Sequence, residues 1–118
     1  MNKESFSRKE SLKKNSSIKA VLDNGICYRS KSINVYILKR PDIEINKAAF
    51  ICKTSLHQKK SVIRNRIRRI LRESYRQTKR ILPVGYDIVI VGTKIAKNTL
   101  SIEIEKEILD VFKKHIKK

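Results

Sequence analysis

Residues 59–80, KKSVIRNRIRRILRESYRQTKR, hold ten basic side chains and one acid, Glu73, in 22 positions. At 100° per residue, Ile63, Ile67, Ile70, Leu71, Ser74 and Thr78 fall in one largely apolar stripe. Asn65, Arg68, Arg69, Arg72, Arg76 and Lys79 fall opposite it, with Arg64 and Arg66 on the flanks. Such a segment is stable only as a helix laid by its stripe on a larger apolar surface, with a cationic row outward. The rest of the chain must therefore supply that surface.

It does so mainly with strands. Ile33 to Leu38 alternates, with Ile33, Val35 and Ile37 on one face and Asn34, Tyr36 and Leu38 on the other. Ala48 to Lys53 reads as a second strand and Ile26 to Ser30 as a weaker one, with a turn at Pro41 and Asp42 between. Pro83, Val84 and Gly85 make a turn before Tyr86 to Val91, the clearest strand. A short helix capped by Ser16 or Ser17 carries Ile18, Val21 and Leu22, and Gly25 suits a left-handed C-terminal position. A last helix over 100–116, capped by Asn98 or Thr99, gathers Leu100, Ile104, Ile108, Val111 and Phe112 on one side. Its glutamates lie early and its lysines late, as the helix dipole favours. The order is helix, two or three strands, helix, strand, helix: an α/β sandwich in one domain over residues 1–118, with 1–11 as a flexible arm.

Composition narrows the partner. With 29 basic and 11 acidic residues the formal charge is +18, and repulsion of that size calls for an anionic partner. Apolar runs such as Ala48 to Cys52 are far short of a membrane span, and no signal peptide is visible. Cys27 and Cys52 stand outside any metal-ligand spacing and read as small buried hydrophobes, which points to a reduced, cytoplasmic protein. His57 and His115 lack partners at ligand spacing, and no pair of acids is placed for metal or acid–base catalysis, so no catalytic or metal-binding residue is assigned.

A solvated charged face is the ordinary explanation of a charge run, and here it fits poorly. Arg64 with Arg68, Arg68 with Arg72 and Arg72 with Arg76 are like-charged at four-residue spacing, each costing about 0.2–0.5 kcal/mol in an isolated helix. Lys59, Lys60 and Arg64 crowd the positive end of the dipole, which suits an arriving phosphate and nothing else. Seven of the ten arginines lie in this segment although lysine outnumbers arginine overall. Arginine is the residue for bidentate grip on phosphate and for stacking on bases.

Arg64-Asn65-Arg66-Ile67-Arg68-Arg69, preceded by Lys60-Ser61-Val62 and followed by Leu71-Arg72-Glu73, resembles the RNR signature of the bacterial ribonuclease P protein subunit. Leu12-Lys13-Lys14-Asn15, the helix ending at Gly25, the strand with Tyr36, and Gly85-Tyr86-Asp87-Ile88-Val89 fall in the same family's order, so the resemblance spans about Leu12 to Ile116. It implies an αβββαβα sandwich, α+β in class, with a small mixed sheet of about four strands and a left-handed βαβ crossover. It also implies a ribonucleoprotein endonuclease that removes the 5′ leader of precursor tRNA. The catalytic centre and its Mg2+ ions would belong to the RNA subunit, with this chain as protein cofactor and no obligate protein partner.

Carried over by residue, Lys60, Arg64, Asn65, Arg66, Arg68, Arg69 and Arg72 match the block that binds the catalytic RNA. Tyr36, with Ile18, Leu22 and Lys53, matches the cleft that holds the leader. Ile18 and Leu22 stand where many relatives carry phenylalanine, Lys53-Thr54-Ser55 replaces the usual Ser-Lys-Lys block, and Ala49 stands where a glycine is frequent. From the residues alone, Tyr36 is either a cleft aromatic or merely half-buried, and for Ile18 and Leu22, four apart on a helix, core packing is the stronger reading. Tyr75, at the border of the stripe, reads as a packing residue with a solvated hydroxyl. A small ribosomal protein would share the composition, and an independent metal-dependent endonuclease would cleave RNA without an RNA subunit.

Overall fold

The computed structural model describes residues 8–41, 45–52, 61–95 and 99–117. Its elements run α1 (Asn15–Asn24), β1 (Ile26–Arg29), β2 (Ile33–Lys39), β3 (Lys47–Cys52), α2 (Ser61–Thr78), β4 (Tyr86–Gly92) and α3 (Ser101–Ile116). Short 3-10 turns at Arg8–Glu10 and Lys79–Ile81 precede α1 and extend α2. The four strands form one sheet in the order β1-β2-β4-β3. β1 with β2 and β2 with β4 are antiparallel, whereas β3 and β4 run parallel. A parallel pair needs a crossover, and α2 lies on that crossover. The class is α+β with the expected αβββαβα order.

Strand alternation divides the apolar residues between two faces. Ile33, Val35, Ile37, Ala48, Cys52, Ile88 and Ile90 meet Ile67 and Leu71 of α2 and Ile104, Ile108, Val111 and Phe112 of α3 in the main core. Ala49 and Val89 point the other way and are covered by Leu12 and Val21, with Ile18, Tyr36, Leu38, Ile51 and Val91 packed around them. The helices thus load one face heavily, and the short α1 covers only part of the other. That asymmetry leaves room beside α1.

Several sequence expectations are corrected by the packing. The N-cap of α1 is Lys14, and no side-chain hydrogen bond caps it, so neither Ser16 nor Ser17 serves. Gly25 is not left-handed (φ −73°); it is required because a Cβ there would lie 2.6 Å from the Val21 carbonyl oxygen and 3.1 Å from that of Ile37. Those neighbours are backbone and cannot swing aside, so Gly25→Ala should destabilise the fold by about 1–3 kcal/mol, read as a lowered urea midpoint with unchanged slope. Asn98 lies outside the described residues; the N-cap of α3 is Leu100, whose N–H donates to the Glu103 carboxylate at 2.8 Å. Leu100 itself is exposed rather than part of the α3 stripe. Cys52 is buried as expected, but Cys27, on the edge strand, is exposed.

Tyr75 is the largest departure. It is 1% exposed, with its ring edge-on to Phe50 (centroids 5.7 Å apart) and to Phe112 (6.3 Å). Burial, helped by the Glu10 carboxylate, pushes its phenol far above the usual range, so it stays protonated. The buried hydroxyls of the same stripe are satisfied within the fold. Ser74 Oγ reaches the carbonyls of Ile70 (2.7 Å) and Ser101 (3.0 Å), tying α2 to the start of α3, and Thr78 Oγ1 donates to Ser74 O at 2.9 Å.

Of the proposed arm, residues 1–7 lie outside the described residues. From Arg8 onward the chain is seated: Ser11 pairs with Ala48 as a one-residue extension beyond β3, Leu12 N–H donates to Ala48 O at 2.9 Å, and Glu10 bonds Lys79 Nζ at 2.6 Å. At the same end of the sheet Gly85, with φ +105°, makes the turn into β4. The Arg40 N–H donates to its carbonyl at 2.6 Å. Asn46 bridges Pro83 O and the Tyr86 N–H at 2.8 and 2.9 Å, locking the entries to β3 and β4 together. Tyr28 Oη lies 2.7 Å from Nδ1 of His115, whose ring also meets that of Tyr86 edge-on (centroids 5.1 Å apart), which makes His115 a packing partner of the edge strand.

Candidate nucleic-acid interface

With Ile67 and Leu71 sealed into the core, helical geometry leaves Asn65, Arg66, Arg68, Arg69 and Arg72 exposed and Arg64 half-buried. This is the predicted arginine row. Its lower end differs from the sequence expectation. Arg76 donates through Nε to Glu73 at 3.1 Å and through a second, shorter bond. Lys79 pairs with Glu10. The hydrogen bond from Arg76 holds the Glu73 carboxyl below the usual range, burial opposing and Gln77 assisting. The like-charged series therefore ends at Arg72, and the cationic row spans Arg64 to Arg72. Lys60 and Lys53 lie outside the described residues.

The row is not an isolated face. Arg68 and Arg72 form one wall of a groove of about 350 Å3 whose other sides include Lys13 and Ile18, with Ala49 and Ile51 of β3 also lining it. Arg64 and Arg68 also act on the end of β3: they pull the Cys52 thiol down while its burial, the larger effect, pushes it up. The buried thiol stays protonated and serves packing.

Across the sheet from that groove, Ala49, Val89, Tyr36 and Cys27 stand in one transverse row set by strand register. Ile51, Val91, Asn34 and Arg29 form the next row. Tyr36 is half-buried beside α1, and burial followed by its hydrogen bond to Cys27 raises its phenol above the usual range. A protonated phenol on a half-open apolar floor offers both a ring face and a donor. The structure brings Ile18 and Tyr36 to the same apolar cluster. Leu22, one turn beyond Ile18, is 36% exposed and is not among that cluster's packed residues.

Residue reasoning missed Lys13. It precedes α1, and nothing in its spacing links it to α2; the Leu12–Ala48 backbone bond is what carries it to the groove. The cation pair Lys13-Lys14 at a helix start was the available signal.

The arginine row beside a groove on a four-stranded sheet can be set against known proteins. The sequence profile of the family described as Ribonuclease P matches residues 6–116. The chain belongs to the ribonuclease P protein family. It is 32% identical to the ribonuclease P protein component of Clostridioides difficile, over 92% of this chain and 94% of that protein. It is 36% identical to that of Caldanaerobacter subterraneus, over 80% and 83%. The ribonuclease P protein of Thermotoga maritima superposes with a TM-score of 0.75 at 20% identity, covering 89% of this chain and 96% of that one. That of Staphylococcus aureus gives 0.74 at 22%, covering 88% and 93%. The last two likenesses establish the ribonuclease P protein fold. Family membership makes the chain a ribonuclease P subunit, part of a tRNA-processing ribonucleoprotein.

Proposed function

We propose that this chain binds the catalytic RNA of ribonuclease P through Arg64, Asn65, Arg66, Arg68, Arg69 and Arg72, together with Lys60. In this reading it holds the 5′ leader of precursor tRNA in the cleft beside α1. The observation that carries the reading is the arginine row of α2 opening into a groove that leads onto the half-open sheet face. Phosphates of the catalytic RNA neutralise the row and release counterions. The leader lies along the floor, a base or ribose against Tyr36 and Ile18, with Leu22 at the rim and Lys53 as a further cation.

Catalysis in this reading belongs to the RNA. Among the described residues no three His, Cys, Asp or Glu side chains converge as a metal site, and the buried Asp87 is held by Arg40 at 2.9 Å. In this reading Mg2+ is held by the RNA subunit and the substrate. The protein's part is to offset phosphate repulsion between catalytic RNA and substrate. No helix among the described residues is long and apolar enough to cross a membrane, and the proposed site of action is the cytoplasm.

The test is leader cleavage of a precursor tRNA at low magnesium with protein alone, RNA alone, or both. Cleavage by the mixture only is expected, and Tyr36→Ala should weaken it roughly 5- to 30-fold at subsaturating substrate, the loss of one stacked base. No stimulation by the protein would favour a structural RNA-binding role; cleavage by protein alone would reveal an active site in this chain.

A further inference from the structure

We propose that a cavity at the end of the sheet, outside the arginine row and the leader cleft, is a second site for an RNA backbone phosphate. The cavity has a volume of about 400 Å3 and lies where α1 begins, β2 ends and β3 and β4 start. Lys9, Lys13, Lys14, Arg40 and Lys47 line it, with Asp87 as the lining carboxylate.

Five cations converge there from three stretches of the chain, residues 9–14, the end of β2 and the start of β3. A solvated surface would spread such charges apart, and a concave wall concentrates their field on whatever enters. The carboxylate does not cancel them. Asp87 is 1% exposed and bonds Arg40 Nη1 at 2.9 Å, which fixes a guanidinium that is itself 37% exposed at the cavity edge. The Arg40 N–H bond to Gly85 O anchors the same residue through its backbone. A guanidinium held this way loses little freedom when it meets an anion.

The start of α1 adds to the field. Its first turn contains no acid, and its N-cap, Lys14, makes no side-chain capping bond. Cations at that end oppose the dipole unless an anion joins them.

Lys13 lines both this cavity and the groove beside Arg68 and Arg72. The cationic surface therefore continues from α2 past the N-terminus of α1 to the far end of the sheet. This inference rests on the proposal that the chain binds RNA. The phosphate could come from the catalytic RNA or from the leader.

Inorganic phosphate is the probe for the site itself. Amide resonances of the full 15N-labelled chain are followed as phosphate replaces chloride at constant ionic strength. Saturable shifts at Ser11, Lys13, Ser17 and Lys47 are expected, and Lys14→Gln/Lys47→Gln should remove them while leaving the Arg40–Asp87 pair and the thermal midpoint intact. Arg40→Gln, which strands a buried carboxylate, is the second variant, accepted only if its spectrum remains folded.

The source follows from two affinities. A roughly 3- to 10-fold weaker binding of the catalytic RNA by the double variant, with a salt slope shallower by about 1, assigns the phosphate to that RNA. Unchanged RNA binding with weaker holoenzyme binding of long-leader precursor alone assigns it to the leader. Unaltered phosphate shifts, or unaltered affinity in both arms, overturns the inference. Failure of the wild-type chain to bind catalytic RNA would instead overturn the proposed function.

Discussion

Arg68→Ala/Arg69→Ala is expected to weaken binding of the catalytic RNA roughly 10- to 100-fold near physiological salt, from two lost charge-assisted contacts. Both side chains are exposed on α2, whose core contacts run through Ile67 and Leu71. The fold should therefore survive, and alanine even favours the helix. The diagnostic readout is the salt dependence. Each phosphate contact removed should flatten the slope of log affinity against log salt by about 0.7–0.9. Lys at both positions should restore most of the slope but only part of the affinity, because an ammonium lacks the bidentate fork. A filter-binding series at four salt concentrations separates these cases; unchanged affinity and slope would mean this face does not meet the RNA.

Tyr75→Ala should be the most damaging single substitution for stability, at about 3–5 kcal/mol. The ring is sandwiched edge-on between Phe50 of β3 and Phe112 of α3, so its loss opens a cavity where the sheet and both long helices meet. Tyr75→Phe retains the packing and should cost about 1 kcal/mol or less. Urea denaturation followed by circular dichroism measures both. The two predictions discriminate surface from core on one helix: Arg68 and Arg69 should change RNA affinity without the urea midpoint, and Tyr75 the reverse when folded protein is titrated.

The elements were largely legible because their signals are local. The stripe of Ile63, Ile67, Ile70 and Leu71, and the alternation of Ile33, Val35 and Ile37, are periodicities that any chain must obey in a helix or strand, and the structure buries those strand residues as expected. The arginine row was legible for the same reason: once the stripe is inward, Arg68, Arg69 and Arg72 have nowhere else to point. Caps and borders were less legible. Ser16 and Ser17 are good capping residues that the chain does not use, because the Leu12–Ala48 pairing sets where α1 begins. Tyr75 looked marginal on the wheel because a wheel of one helix does not show that α3 and β3 close over its flank.

By itself, then, the sequence determined the composition of the surfaces: an apolar stripe, an arginine row, a charge of +18 and the order of elements. It also carried the family, because the RNR block is contiguous. Tertiary structure alone decided which charges stay available and which meet. Arg76 and Lys79 are taken by Glu73 and by the distant Glu10, whereas Lys13, Arg68 and Arg72 gather around one groove, and Lys9, Arg40 and Lys47 around one cavity. The physical reason is range. Backbone periodicity acts over four residues or fewer, but a phosphate is gripped by side chains converging within a few ångströms from anywhere in the chain, and only the pairing of β3 with β4 and the seating of α1 bring those side chains together.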